Sequence, residues 1–190
     1  HPYSHNRLKP VNNKVFRALT DVVTLYPNNL IEQMKVLVLG SGGREHALCY
    51  KIAQSSQLER LYAAPGNPGT AQVAENVELD LADFEAIGEF VAESDVDYVV
   101  VGPEDPLVNG IADYFASRED LNGVTIIGPS KEAAQLEGSK DFAKKFMQRH
   151  NIPTAAHATF GKDSIGEANA FLESLEPPYV LKADGLAAGK

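Results

Sequence analysis

Cysteine is almost absent: Cys49 is the only one in 190 residues, so no disulfide can close within the chain, as a reducing compartment would predict. Long apolar runs are missing too, since none approaches the roughly 20 residues that a membrane-spanning helix requires. Positive charge is the scarcer sign, with 17 Lys and Arg against 26 Asp and Glu and a formal net charge of −9. That balance argues against general affinity for nucleic acid, although a local basic pocket for one phosphate is compatible with an acidic surface. The 44% apolar and 23% charged residues are those of an ordinary soluble protein. At about 100–150 residues per domain, the length suits one full domain and part of another.

Residues 1–33 differ in pattern from the rest of the chain. The chain begins at His1, its early apolar residues (Val11, Val15, Phe16, Leu19, Val22, Val23) sit among Asn, Pro and Lys without a convincing cap, and Met34 immediately precedes the first clear strand. The expectation is a disordered leader, tag or upstream sequence, with the folded protein starting at Met34 and located in the cytoplasm. An organelle transit peptide is the alternative. It is disfavoured by only two Arg (Arg7 and Arg17), by Asp21 and Glu32, and by the low Ser content.

The chain is organised around Leu39-Gly40-Ser41-Gly42-Gly43-Arg44-Glu45-His46. The run Val36–Leu39 predicts a buried strand, and Ala47, Leu48 and Ile52 carry helical spacing after it. In a strand–glycine turn–helix unit the first helical N–H groups are free and partly positive, so the turn is expected to seat an anion. It is not a dinucleotide fingerprint. Glu45 stands where G-x-G-x-x-G needs its third glycine, and the next strand, Leu58 to Ala64, runs into Pro65-Gly66-Asn67 without an acidic residue for a ribose hydroxyl. A nicotinamide cofactor is therefore disfavoured, and a phosphate-bearing small molecule remains open.

Apolar runs at Val36–Leu39, Leu58–Ala64, Tyr98–Val101 and Val124–Ile127 predict strands, with helices over Gly43–Gln54, Phe84–Glu93 and Leu107–Ser117 between them. Such alternation predicts a doubly wound parallel α/β domain from Met34 to Pro129. Ligands of these sheets lie beyond the carboxyl ends of the strands. There the sequence places four Gly/Pro turns: 40–46, Ala64–Gly69, Gly102–Pro106 and Gly128–Ser130. Any one alone is ordinary strand punctuation; their shared edge is what points to a site. Read singly, Arg44 and Glu45 make a solvated pair, His46 packs against the sheet rather than binding metal, and Cys49 is a small core residue. Glu104 and Asp105 form a solvated turn, or offer carboxylates to hydroxyls or an amine.

Beyond Pro129, Lys131–Glu137 and Ser139–His150 predict consecutive helices, the second capped by Ser139 with Phe142 and Phe146 on one face. Ala156–Phe160 predicts a strand, Ser164–Leu175 a helix, and Tyr179–Ala183 a strand that leads into Asp184-Gly185-Leu186-Ala187-Ala188-Gly189-Lys190. The last loop has three residues between its glycines, not the four of a Walker loop. It is either a flexible turn or a small-residue cradle for nucleotide phosphates, with Lys182 and Lys190 supplying charge.

Six motifs, in order and approximate spacing, resemble one family: Gly40–Ala47, Ala64-Pro65-Gly66-Asn67, Val101-Gly102-Pro103-Glu104, Ala134–Lys140, Ile152-Pro153-Thr154-Ala155 and Lys182–Lys190. Over Met34–Lys190 the chain resembles the phosphoribosylamine–glycine ligases, or glycinamide ribonucleotide synthetases, which are ATP-grasp enzymes. The resemblance implies a Rossmann-like substrate domain at 34–129, a helical connection at 130–151 and the start of an ATP-grasp lid subdomain at 152–190. It implies phosphoribosylamine at Gly42, Gly43, Arg44, Glu45, Pro65, Gly66, Asn67 and Glu104. ATP would meet Lys140, Lys182, Gly185, Leu186, Ala187, Ala188, Gly189 and Lys190. The implied reaction joins glycine to 5-phosphoribosylamine in purine synthesis, with ATP, Mg2+ and a glycyl phosphate. The family's magnesium ligands and most ATP and glycine contacts lie further along, so no catalytic or metal-binding residue is expected within these residues and no ligation from them alone. Asp105 departs from many relatives, which carry Ala there. Fusion to later purine enzymes is one expectation for the longer protein; a membrane or nucleic-acid partner is not. The alternatives are a non-catalytic phosphosugar- or nucleotide-binding module, and another ATP-grasp carboxylate–amine ligase. The Gly-Gly-Arg-Glu-His and Ala-Pro-Gly-Asn turns disfavour the second.

Overall fold

The computed structural model describes residues 33–185. The leader, Gln33 apart, and residues 186–190 lie outside the described residues. Five strands form one parallel sheet: β1 (Met34–Gly40), β2 (Leu58–Pro65), β3 (Glu75–Asn76), β4 (Tyr98–Val101) and β5 (Thr125–Ile127). Their order is β3-β2-β1-β4-β5. The chain winds outward from β1 to β3 and then returns to β1's other side at β4, so the winding reverses between β1 and β4. At such a reversal the connections leave in opposite directions and a crevice opens beyond the strand ends.

Side-chain alternation along β1 explains how the sheet is covered. Leu37 and Leu39 face one layer with Tyr62, Ala64, Val99 and Val101, packed by Ile87 and Val91 of α2 (Phe84–Glu93) and by Ile111 and Phe115 of α4 (Ile111–Ser117). Val38 faces the opposite layer with Leu61, Ala63 and Cys49, which lies on α1 (Gly43–Ile52). Leu37, Val38 and Leu39 are fully buried, and each contributes about 1.5–3 kcal/mol by leaving water. The result holds β1, and hence the glycine turn at its end, between two packed layers.

Caps set the helix starts. Asp83 accepts the Ala86 N–H at 3.0 Å to open α2, and Ser130 accepts the Ala133 N–H at 3.3 Å to open α5 (Lys131–Gly138). Ser139 does the same for Phe142 at 3.1 Å, opening α6 (Lys140–Arg149) as its sequence position predicts.

Several expected boundaries change. The helix expected over Leu107–Ser117 is two, α3 (Glu104–Asn109) and α4, because Gly110 takes a left-handed φ of 98° and its N–H closes onto the Pro106 and Leu107 carbonyls. α3 starts earlier than expected because Pro106 is tolerated in a first helical turn, where its missing N–H has no intrahelical partner. Helix α1 ends at Ile52, short of Gln54. The two-residue β3 carries too little pattern to be read from sequence. Ser164 opens α7 (Ile165–Glu173). The strands expected at Ala156–Phe160 and Tyr179–Ala183 are irregular backbone, since among the described residues no strand pairs with either. An apolar run becomes a strand only when a neighbour takes its N–H and C=O groups. Val180 and Leu181 are accordingly 75% and 77% exposed.

Candidate functional site

The turns after β1, β2 and β4 meet at one sheet edge through bonds between their own backbones. Gly66 N–H donates to the Gly40 carbonyl at 3.2 Å, and Gly102 N–H donates to that of Leu39 at 3.0 Å. Asn67 staples two of the turns. Its Nδ2 donates to the Ser41 carbonyl at 2.8 Å, and its Oδ1 accepts the N–H groups of Gly69 and Thr70 at 2.7 and 3.0 Å. Both ends of the amide are engaged within the protein, so Asn67 shapes the rim here through the backbone.

Thr70 and Asn76 complete this loop, and neither stands out in the sequence. The Thr70 hydroxyl, in a residue with no exposure, accepts the Asn67 N–H at 2.7 Å. Its one proton is shared between the Asn67 carbonyl at 2.8 Å and Asn76 Oδ1 at 2.7 Å. Asn76 Nδ2 also reaches the Asn67 carbonyl at 2.9 Å. The legible signal is the Asn67-Pro68-Gly69-Thr70 order, an Asx turn with a hydroxyl three residues on. Gly66 has φ 70°, and a Cβ there would run into the Asn76 amide. The Ala64-Pro65 bond is cis. His46 packs on Gly69, where a Cβ would come within 2.5 Å of its Cε1; its packing partner is thus the loop after β2 and not the expected sheet.

Glu45 occupies the centre. It is only 4% exposed, and its Oε2 accepts the N–H of Gly42, the helix N-cap, at 2.7 Å. The carboxylate fits because three neighbours have no side chain: a Cβ on Gly40, Gly42 or Gly102 would collide with it. In a dinucleotide fold the third glycine lets helix and strand approach. Here the strand-end glycines make that room instead, and a carboxylate fills it. Arg44 bridges two acids, with Nε 3.3 Å from Glu45 Oε1 and Nη2 3.7 Å from Glu104 Oε2. Its side chain is 63% exposed, so these pairs contribute at most about 1 kcal/mol. Gly43 borders open space, and a methyl group on it would find no atom within 4 Å, while Asp105, the second residue of α3, is exposed to solvent. Cys49 is fully buried, and burial, with the Glu45 charge, pushes its thiol pKa up, which keeps it protonated and inert.

A second cluster gathers at the start of α6. Asp184 Oδ1 accepts the N–H groups of Lys140 and Asp141 at 2.6 and 3.3 Å, and Oδ2 accepts the Ser139 hydroxyl at 3.0 Å. These donors, the Asp141 N–H foremost, hold the Asp184 carboxyl below its ordinary range. Lys140 Nζ donates to the Gly185 carbonyl at 2.6 Å. Lys140 and Gly185, two of the residues expected to meet ATP, thus come together, with Asp184 as an unforeseen partner. Lys182 is exposed on irregular backbone rather than on a strand, and 186–190 lie outside the described residues. Among the described residues no three His, Cys, Asp or Glu side chains converge to hold a metal, and no helix is long and apolar enough to cross a membrane.

Residues 34–137 match the family model of the phosphoribosylglycinamide synthetase N domain, more than half of the chain. The chain belongs to the phosphoribosylglycinamide synthetase family. Residues 138–190 match the ATP-grasp (A) domain of the same family, so the two matches meet at the last residue of α5. Among curated members, the phosphoribosylamine–glycine ligase of Mesorhizobium japonicum is 54% identical over 157 residues, covering 83% of this chain and 36% of its own length. That of Pseudomonas putida is 53% identical over 159 residues, covering 83% and 35%. The crystal structure of the Thermotoga maritima phosphoribosylamine–glycine ligase superposes with a TM-score of 0.61 at 32% identity, over 83% of this chain and 34% of that one. An N5-carboxyaminoimidazole synthase from Aspergillus clavatus, in complex with ADP and an aminoimidazole ribonucleotide, shares the fold with a TM-score of 0.58 at 22% identity, over 77% and 37%. The chain therefore spans about a third of the length of the family members it matches.

Proposed function

We propose that the protein containing this chain ligates glycine to 5-phosphoribosylamine, giving glycinamide ribonucleotide, ADP and phosphate in purine synthesis. The observation that carries the reading is the turn at the β1/β4 reversal, where Glu45 replaces a dinucleotide-binding glycine and three glycines make room for it. A carboxylate does not condense with an amine at neutral pH. Transfer of the ATP γ-phosphate to the glycine carboxylate releases ADP and makes an acyl phosphate; the amine then attacks its carbonyl and phosphate leaves.

In this reading residues 34–129 form the phosphosugar domain, 130–151 connect and 152–190 begin the lid. Gly42, Gly43, Arg44, Glu45 and Glu104 border phosphoribosylamine. Pro65, Gly66 and Asn67 shape the rim, on the support of Asn67's bonds to Ser41, Gly69 and Thr70. Lys140, Lys182 and 185–190 approach ATP phosphates, supported by the Lys140 contact with Gly185. The lid, by covering ATP, would keep water from the acyl phosphate. Magnesium would offset the phosphate charge when bound. A cytoplasmic location accompanies the reading, supported by the free Cys49.

The test is ADP release by the full-length protein with ATP, glycine and phosphoribosylamine generated from ribose 5-phosphate and ammonia. Release that requires all three, with glycinamide ribonucleotide as product, is expected. Release without glycine, or with another carboxylate preferred, would assign the chain to a different carboxylate–amine ligase.

A further inference from the structure

The glycine turn carries an anion of its own. Helix α1 has ten residues, and the free N–H groups at a helix start attract negative charge, but Glu45 already supplies a carboxylate there, bound to the Gly42 N–H at 2.7 Å. A ligand phosphate placed on this turn would meet that carboxylate at close range with little water between, and like charges in such a setting repel strongly. The other Glu45 oxygen points to the opposite preference. Oε1 is buried and has no hydrogen-bond partner, although Arg44 Nε lies 3.3 Å away without hydrogen-bonding geometry. It lies against Gly102 at the end of β4, at the winding reversal where ligands of such sheets bind. A buried acceptor without a donor is destabilising, and a bound N–H or O–H group would remove that cost.

We propose that the phosphosugar enters this crevice with its donor end first: an amine or ring hydroxyl donates to Glu45 Oε1, and the phosphate stays off the α1 N-terminus. This rests on the ligase reading for the identity of the sugar. Arg44, largely exposed and only loosely paired, gives up Oε1 to the incoming donor. Glu45 is thus the residue that selects a donor-bearing sugar over a pyrophosphate.

Two measurements on the full-length protein test this. In the first, Glu45→Gln keeps the volume and an oxygen for Gly42 N–H but removes the charge. The KM for phosphoribosylamine should rise at least tenfold, with KM for glycine and ATP unchanged in a variant that still melts cooperatively, and pyrophosphate should inhibit more strongly. A phosphosugar KM that is unchanged or lower in a folded, active variant would overturn the proposal, because a phosphate on the turn would gain from losing the charge. In the second, ribose 5-phosphate should slow amide exchange across 40–46 and 102–104 of the unsubstituted protein, and inorganic phosphate at the same concentration should not. Equal protection by inorganic phosphate would overturn it. If Glu45→Gln weakens inhibition by ribose 5-phosphate as much as the phosphoribosylamine KM, the donor is a hydroxyl; if only the latter changes, it is the amine. Should the protein show no ligase activity at all, the ligase reading fails while the exchange experiment still decides the orientation.

Discussion

Glycine at position 43 is not demanded by the fold. A methyl group there meets open space, and in the first turn of a helix Ala is the better residue by roughly 0.5–1 kcal/mol. Gly43→Ala should therefore leave the melting temperature unchanged or slightly higher, while raising the KM for the phosphosugar several-fold if a ligand approaches the backbone at that point. Steady-state kinetics beside a thermal melt checks both halves; a stable variant with unaltered KM would remove Gly43 from the site. Glu45 is the contrasting case. Its sequence position alone shows what the turn is not, a dinucleotide loop, but gives no sign that its carboxylate folds inward. That depends on Gly102, 57 residues away by the difference of the two numbers, and only the parallel pairing of β1 with β4 places the two together.

At the scale of elements, the strands with continuous apolar runs and the three capped helices, α2, α5 and α6, follow from local pattern, because burial on two faces and a Ser or Asp cap leave direct marks in sequence. The break at Gly110 leaves no such mark, because a single glycine in a helical pattern also fits an unbroken helix; a Cβ there would come within 3.0 Å of Lys131 Cδ, a contact across elements. The cap on α6 is half legible. Ser139 is readable as the N-cap, whereas Asp184, 45 residues beyond it by the difference of the two numbers, belongs to a loop whose glycines are its visible feature. Because that carboxyl is held below its ordinary value of 3.8, its charged form favours the contact. The anchoring is then fully present above that pH and disappears as pH falls through the lower folded value. The backbone amide shift of Lys140 should titrate below pH 3.8, and Asp184→Asn should remove that transition, leaving at Asp141 only the one from its own carboxyl, which Lys145 also holds low. A midpoint at or above 3.8 would mean that the helix start does not hold the carboxylate.

For the whole molecule, the family matches run from an N domain into an ATP-grasp segment, yet Tyr179, Val180 and Leu181 stay exposed. Unpaired apolar backbone of this kind is a template for pairing with another chain. These 190 residues expressed alone should self-associate as concentration rises, and Leu181→Lys should shift them toward monomer in sedimentation velocity without changing the melting temperature. A monomer at all concentrations would show that the exposed run is harmless. Pairing of this run is not readable from sequence, since an apolar stretch states a strand's appetite for a neighbour and not whether one is within reach.

The fit of Glu45 among Gly40, Gly42 and Gly102 also constrains the routes by which this crevice could be altered. Gly102→Ala is blocked while Glu45 is present, since the new methyl and the carboxylate would share one space. Once Glu45 is replaced by glycine, the same Gly102→Ala fills a void. The sign of one substitution thus depends on the other, so a conversion to a dinucleotide-binding turn must change position 45 first and pass through an under-packed intermediate.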